Sequence, residues 1–380
     1  MKIKLMVTAI LVIAVIGSIV LFGCTSSSSS AEATVAVKED VEETEGTEAA
    51  QEAKSSAGGS GQLTGSELAG KKIAICTLWQ ANEWNVLSAK GAKETLEAAG
   101  AEVTVTDAGG DQQKQSEDLL SLVAAKPDLI ILTLGDNQVF RKAIDAAADA
   151  GIPMIDVEAN ITGTNVLTHL WADQLVNGIK NANNIISYLA AKYDGEVKGN
   201  VVELYTPGVS SIDIRRDAGK MKLDLYPGIK LASVPYDQTN GAEDSRIKTE
   251  AYLQSNPDVD VLTGYYGEPV VGPALAVDAL GLNDKVAIIG IDAFEPVLNL
   301  MRQGLPVLSA VQQDGYAIGV VAAKCAIKYF AGEELAYQHV MPLVDIYNNF
   351  PGKADNFPET GGVTISCTQE FKDAGLGWDY

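Results

Sequence analysis

Residues 71–100, KKIAICTLWQANEWNVLSAKGAKETLEAAG, are the stretch from which the fold is read. Ile73, Ala74, Ile75, Cys76, Thr77 and Leu78 form a short, nearly all-apolar run after two lysines, as expected of a strand buried on both faces of a parallel sheet. A polar and aromatic turn follows, with Trp79, Asn82, Trp84 and Asn85. Val86, Leu87, Ala89, Ala92, Leu96 and Ala99 then recur at helical spacing up to Gly100, a suitable helix stop. Open parallel sheets bind ligands outside the carboxyl ends of their strands, which is where this turn falls. Two tryptophans and two asparagines are more than a plain connector needs, so the turn is expected to border a small-molecule site.

The same strand–turn–helix unit recurs at intervals of about thirty residues, as right-handed crossovers require. Strands are expected at 102–107, 129–134, 154–157 and 166–171, with helices at 112–125 and 139–150 between them. Near Asp173 and Gln174 the pattern starts again. Helices at 175–192, 215–225, 242–255, 269–280, 295–302 and 316–330 alternate with strands at 201–204, 229–234, 261–264, 285–291 and 307–311, and a last strand falls near 343–347. The fold class is therefore α/β, with two doubly wound, Rossmann-like lobes whose strand-end turns can face each other across a cleft.

Before the first strand the sequence has a different character. Lys2 and Lys4 precede an apolar run from Leu5 to Phe22, ending at Gly23-Cys24. This resembles a bacterial lipoprotein signal, implying cleavage before Cys24 and lipidation of its thiol; an uncleaved membrane anchor is the other reading, although the run is short for a bilayer crossing. Residues 25–66 carry eight acids, two lysines and no aromatic residue, too little apolar surface to fold, so they are expected to form a spacer. The formal charge of −22 excludes a basic nucleic-acid footprint. Cys76 reads as a buried thiol, Cys325 and Cys367 as a possible disulfide, and no metal-ligand spacing occurs.

Several stretches, in order, resemble one family: IAICTLWQANEW (73–84), DQQKQSEDLLSLVAAKPDLIIL (111–132), AADAGIPMIDVEA (147–159), RRDAGK (215–220), LQSNPDVDVL (253–262), VAIIGIDAF (286–294) and QQDGYAIG (312–319). The family is that of the ribose- and galactose-type periplasmic sugar-binding proteins, the solute receptors of ABC importers, which have the type I periplasmic binding fold. The resemblance implies lobes joined by three hinge strands, with crossings near 171–174, 312–314 and 342–344. The first lobe would be 71–172 plus 313–341 and the second 173–312 plus 342–380, closing around the ligand by hinge bending. It also implies an extracytoplasmic monomer without cofactor, delivering its ligand to ABC permease subunits. A sensor presenting the same ligand to a membrane kinase or chemoreceptor is an alternative, and an extracellular glycosidase using Glu158 and Asp292 is a distant one.

Carried over by position, the resemblance implies ligand contacts from Asn82, Trp84 and Asn85, with Trp79 nearby, where relatives keep an aromatic pair. Glu158 matches the acid after the fourth strand, but Ala159 stands where an arginine is expected. Arg215 and Arg216 compete for the arginine of the second lobe, and Arg216 fits the Arg-x-x-Gly spacing. Tyr265 and Tyr266 replace an asparagine, while Asp292 and Gln313 match the sugar-binding aspartate and the hinge glutamine. No galactose-type calcium loop is evident, so no metal is expected. Indole faces suit sugar C–H surfaces, and amides and carboxylates suit hydroxyls. Asp136, just after the strand ending at Leu134, is a further candidate ligand contact. Each position also has a structural reading: Trp84 as a core residue, Trp79 as loop packing, Asp136 as a helix cap, Glu158 as a rim ion pair and Arg216 as a surface charge. His169 and Trp171 are expected to pack near a hinge.

Overall fold

The computed structural model describes residues 64–357. The signal-like segment, Cys24, nearly all of the acidic stretch and the tail with Cys367, Trp378 and Tyr380 lie outside the described residues.

Along the chain, β1 (Lys72–Thr77), α1 (Glu83–Ala98), β2 (Glu102–Asp107), α2 (Gln112–Ala125), β3 (Leu129–Thr133), α3 (Asn137–Asp149), β4 (Met154–Val157) and β5 (Val166–Ala172) come first. Then follow α4 (Gln174–Lys192), β6 (Gly199–Leu204), α5 (Ser210–Leu223), β7 (Ile229–Val234), α6 (Gly241–Ser255), β8 (Val261–Gly264), α7 (Glu268–Ala279), β9 (Ala287–Ile291), α8 (Glu295–Arg302) and β10 (Val307–Gln313). The series ends with α9 (Gly315–Phe330), β11 (Gln338–Met341) and β12 (Leu343–Tyr347). Two six-stranded sheets result, ordered β11-β5-β4-β3-β1-β2 and β12-β10-β9-β8-β6-β7. All pairings are parallel except β10 with β12. In each sheet the strand order reverses at one place, between β1 and β3 and between β6 and β8, the position where doubly wound folds open a crevice.

Strand β1 shows why the sequence takes this form. Its alternate residues point to opposite faces, and both faces are covered: Ile73 and Ile75 join the core under α1 and α9, while Ala74 and Cys76 join the one under α2 and α3. Burial pushes the Cys76 thiol up to about 12, which makes it inert at neutral pH. The second sheet is covered by α6, α7 and α8 on one face and by α4 and α5 on the other. Glycines permit the closest helix contacts. A Cβ on Gly319 of α9 would lie 2.1 Å from the Ser88 carbonyl oxygen of α1, and one on Gly178 of α4 would lie 2.0 Å from the Arg215 carbonyl oxygen of α5.

The chain passes between the sheets three times: between β5 and α4 at Asp173, between β10 and α9 at Asp314, and between β11 and β12 at Pro342. Asp173 and Asp314 cap the helices they introduce, accepting from Val176 N at 3.0 Å and Ala317 N at 2.9 Å. The short edge strand β11, with two polar residues among its four, is absent from the expected strands. Its four residues pair on one side only and carry no apolar run.

Candidate ligand site

The carboxyl ends of both sheets face a cleft with two connected chambers. The inner one, of about 90 Å³, is lined from the first lobe by Trp79, Asn82, Trp84, Asn85 and Glu158, from the second by Arg215, Gln238, Tyr266 and Asp292, and by Gln313 at the second crossing. The outer one, of about 580 Å³, extends past His169, Trp171, Gln174, Leu175, Ile214 and Tyr337. Leu78, Leu134, Glu158, Val209 and Ser211 wall both chambers.

Three strand-end residues at the cleft hold left-handed backbones: Leu134 (φ 55°), Glu158 (φ 61°) and Asp292 (φ 67°). Such conformations are costly for residues with a Cβ and tend to gather at functional sites. Here they follow directly on β3, β4 and β9.

A polar network fixes the charged groups. Ala172 N–H donates to Glu158 Oε1 at 2.5 Å, and Gln174 Nε2 donates to Glu158 Oε2 at 2.8 Å. Arg215 Nε donates to Gln174 Oε1 at 2.5 Å, and its Nη1 to the Tyr265 carbonyl at 2.9 Å; Nη1 also lies 3.7 Å from Asp292 Oδ2. Gln174 Nε2 approaches Gln313 Oε1 at 3.4 Å, so the first and second crossings meet at the site. Asp292 Oδ1 and Asn85 Oδ1 are buried without a hydrogen-bond partner among the described residues. Buried polar atoms are normally paired, so these two oxygens, one from each lobe, are free to accept hydrogen bonds at the chamber.

Two further hydrogen bonds join the lobes at the lip. Asn82 Nδ2 donates to Glu268 Oε1 at 3.1 Å, and Glu295 N–H donates to Glu83 Oε1 at 3.2 Å. Asn82 is also the N-cap of α1, its Oδ1 accepting from Trp84 N and Asn85 N, so the residue serves helix and closure together.

Burial dominates the acids. It pushes the Asp292 carboxyl up to about 7 against the opposing pull of Arg215, and the Glu158 carboxyl up to about 7 against the Ala172 N–H and Arg215. The carboxyls of Glu83 and Glu268 are raised, again chiefly by burial. A carboxyl raised on folding stabilises the protein below its ordinary value, near 4, and loses that contribution as pH climbs toward 7. Asp292→Asn is therefore expected to raise the stability of the ligand-free protein at pH 8, by about 1–3 kcal/mol, and to leave it nearly unchanged at pH 4. Thermal unfolding of both proteins across this range measures the difference; a gap that stays constant with pH would count against the assignment.

The expected site residues separate into two groups. Trp79, Asn82, Trp84, Asn85, Glu158, Tyr266, Asp292 and Gln313 line the inner chamber. Trp84 is also only 5% exposed and belongs to the core under α1, so it packs in the core and lines the chamber at once. Arg216, Asp136 and Tyr265 are placed elsewhere. Arg216 grips the fully buried Glu203 through Nε and Nη2, at 3.1 and 2.8 Å, and stacks over Tyr205. The chamber arginine is Arg215. Asp136 caps α3, accepting from Gln138 N at 2.7 Å. Tyr265 is buried, and its hydroxyl donates to Glu203 at 2.7 Å. Gln174, expected only at a crossing, and Gln238 are not among the expected contacts. A helical-phase argument could have selected Arg215: it shares the buried face of α5 with Ala218, Gly219 and Leu223, and Arg216 does not. Cys325 Sγ lies 3.5 Å from His339 Nε2; its expected partner Cys367 lies outside the described residues.

Comparison with known proteins places these features in context. The sequence pattern of the periplasmic binding protein domain matches residues 73–334. The ribose import binding protein of Haemophilus influenzae is 24% identical over 278 residues, 72% of this chain and 90% of that protein. The D-apiose import binding protein of Actinobacillus succinogenes is 27% identical over 263 residues, 68% of this chain and 81% of that one. Among solved structures, the 5-methylthioribose transporter solute-binding protein of Thermotoga lettingae superposes with a TM-score of 0.67 at 21% identity, covering 73% of this chain and 87% of that one. That likeness is one of fold, and the fold is the type I periplasmic binding architecture.

Proposed function

This chain belongs to the periplasmic binding protein domain family, and we propose that within it the protein is an extracytoplasmic receptor for a sugar, delivering ligand to an ABC importer by closure of its two lobes. The observation that carries the reading is the inner chamber itself. Two unpartnered buried oxygens, Asp292 Oδ1 and Asn85 Oδ1, face it beside the Arg215 guanidinium and two indoles. Hydroxyl donors suit the oxygens, hydroxyl acceptors suit the guanidinium, and sugar C–H faces suit the indoles. The relatives include import binding proteins for ribose and D-apiose, which supports the same class of ligand. The reading includes no catalytic step, because the members of the family compared above are binding proteins.

The lobes of the proposed receptor are 71–172 with 313–341 and 173–312 with 342–380, and its ligand contacts come from the chamber residues named above. Lipidation at Cys24 would tether it to the outer face of the cell membrane, with the acidic stretch as spacer; the basis is the Leu21-Phe22-Gly23-Cys24 pattern after an apolar run. The receptor is proposed to act as a monomer on the permease.

A thermal-shift screen over pentoses, hexoses and sugar alcohols tests the proposal. A binder at ~100 times its Kd should add ~2.7 kcal/mol to stability. A panel with no responder would defeat the sugar assignment.

A further inference from the structure

The two connected chambers together offer more room than a lone monosaccharide fills. The outer one measures about 580 Å³ against about 90 Å³ for the inner one, and falls within the ~300–1,000 Å³ typical of sites for drug-sized ligands. Its walls differ in character from the inner chamber. The first lobe contributes the rings of His169, Trp171 and Tyr337, with the His169 and Tyr337 centroids 5.0 Å apart. The second lobe contributes Leu175 and Ile214, which are 54% and 39% exposed. A lone sugar in the inner chamber would leave this aromatic and aliphatic surface in water, although burying it would be favourable.

His169 is also held in a fixed orientation. Its Nδ1 lies 2.7 Å from Asp156 Oδ2, and the buried Asp156 carboxylate is itself fixed by the N–H groups of Ala159 and Ile161, at 3.1 and 3.3 Å. This leaves Nε2 as the ring nitrogen that can meet a ligand in the chamber. An anchored imidazole beside two larger rings, opposite aliphatic side chains, forms a slot for a flat ring with a polar edge.

We propose that the ligand is a sugar carrying a flat aromatic second group, as in a nucleoside or an aryl glycoside, with the sugar in the inner chamber and the second ring in the outer one. The proposal rests on the sugar reading of the inner chamber given above.

Isothermal titration of the whole protein with matched pairs tests it: ribose against adenosine and uridine, glucose and galactose against their phenyl β-glycosides, and lactose as a non-aromatic two-ring ligand. The expected result is at least tenfold tighter binding of one aromatic derivative than of its parent sugar. The double variant L175Q/Y337S, altered at two exposed positions, should remove that gain and leave the parent sugar's affinity as it was, which also reports that the variant is folded. Parent sugars that bind as tightly as every derivative, a preference for lactose, or a gain that survives in the double variant would each overturn the chamber assignment and leave the sugar reading standing. No binding by any compound would overturn both.

Discussion

Arg215→Ala is expected to remove most of the ligand-dependent stabilisation, whereas Arg216→Ala, one residue along, should leave the affinity of the folded protein intact and weaken the fold instead. Arg215 is 5% exposed and joins Gln174, the Tyr265 carbonyl and Asp292 at the inner chamber. Its removal leaves the Asp292 and Glu158 carboxyls without their cation where a ligand must bind. Truncating one member of a buried charged network costs about 2–5 kcal/mol in binding, or at least thirtyfold in affinity. Arg216 answers a different need. Glu203 is fully buried, and without Arg216 it keeps only the Tyr265 hydroxyl as a side-chain donor among the described residues. An uncompensated buried charge destabilises by about 3–5 kcal/mol, and the remaining hydroxyl places this case near 3. Urea unfolding and ligand titration of the two variants read both quantities, and the reverse pattern would refute the placement of the two side chains.

Gly178→Ala should lower stability and affinity together. The added Cβ would lie 2.0 Å from the Arg215 carbonyl oxygen and 2.8 Å from its carbonyl carbon, so α4 and α5 must separate. Overpacking of this kind typically costs about 1–3 kcal/mol. The displaced backbone is that of Arg215, so the guanidinium moves with it and ligand affinity should fall by about tenfold, in keeping with the sensitivity of buried hydrogen bonds to geometry. A loss of stability without loss of affinity would show that Arg215 is positioned by its own hydrogen bonds and owes nothing to this helix contact.

The fold could be read from the sequence where local signals and burial agree. Runs such as 129–134 and 285–291 are apolar because both sheet faces are covered, and the resulting strands β3 and β9 fall where the runs place them. Strand β11 escaped because an edge strand needs no apolar run. In the site, the choice between the two arginines depended on where α5 begins. The helix starts at Ser210, with Asp213 in its first turn, five residues before the expected start. Once the helix is extended backward, its buried phase selects Arg215. Asp136 shows the reverse problem: an aspartate after a strand suits a ligand or a helix cap equally well by residue type, and only its 2.7 Å bond to Gln138 N distinguishes them. Gln174 carries no type-specific signal, since its role depends on the meeting of chain crossings distant in sequence.

The two hydrogen bonds at the lip affect timing more than selectivity. Asn82 to Glu268 and Glu295 N–H to Glu83 join the lobes through groups that must part when the lobes open. At a net worth of about 1 kcal/mol each, each changes the residence time of the closed form by roughly fivefold, without reference to which solute is held. Exchange rates at this lip can therefore be tuned by residues that take no part in discriminating one solute from another.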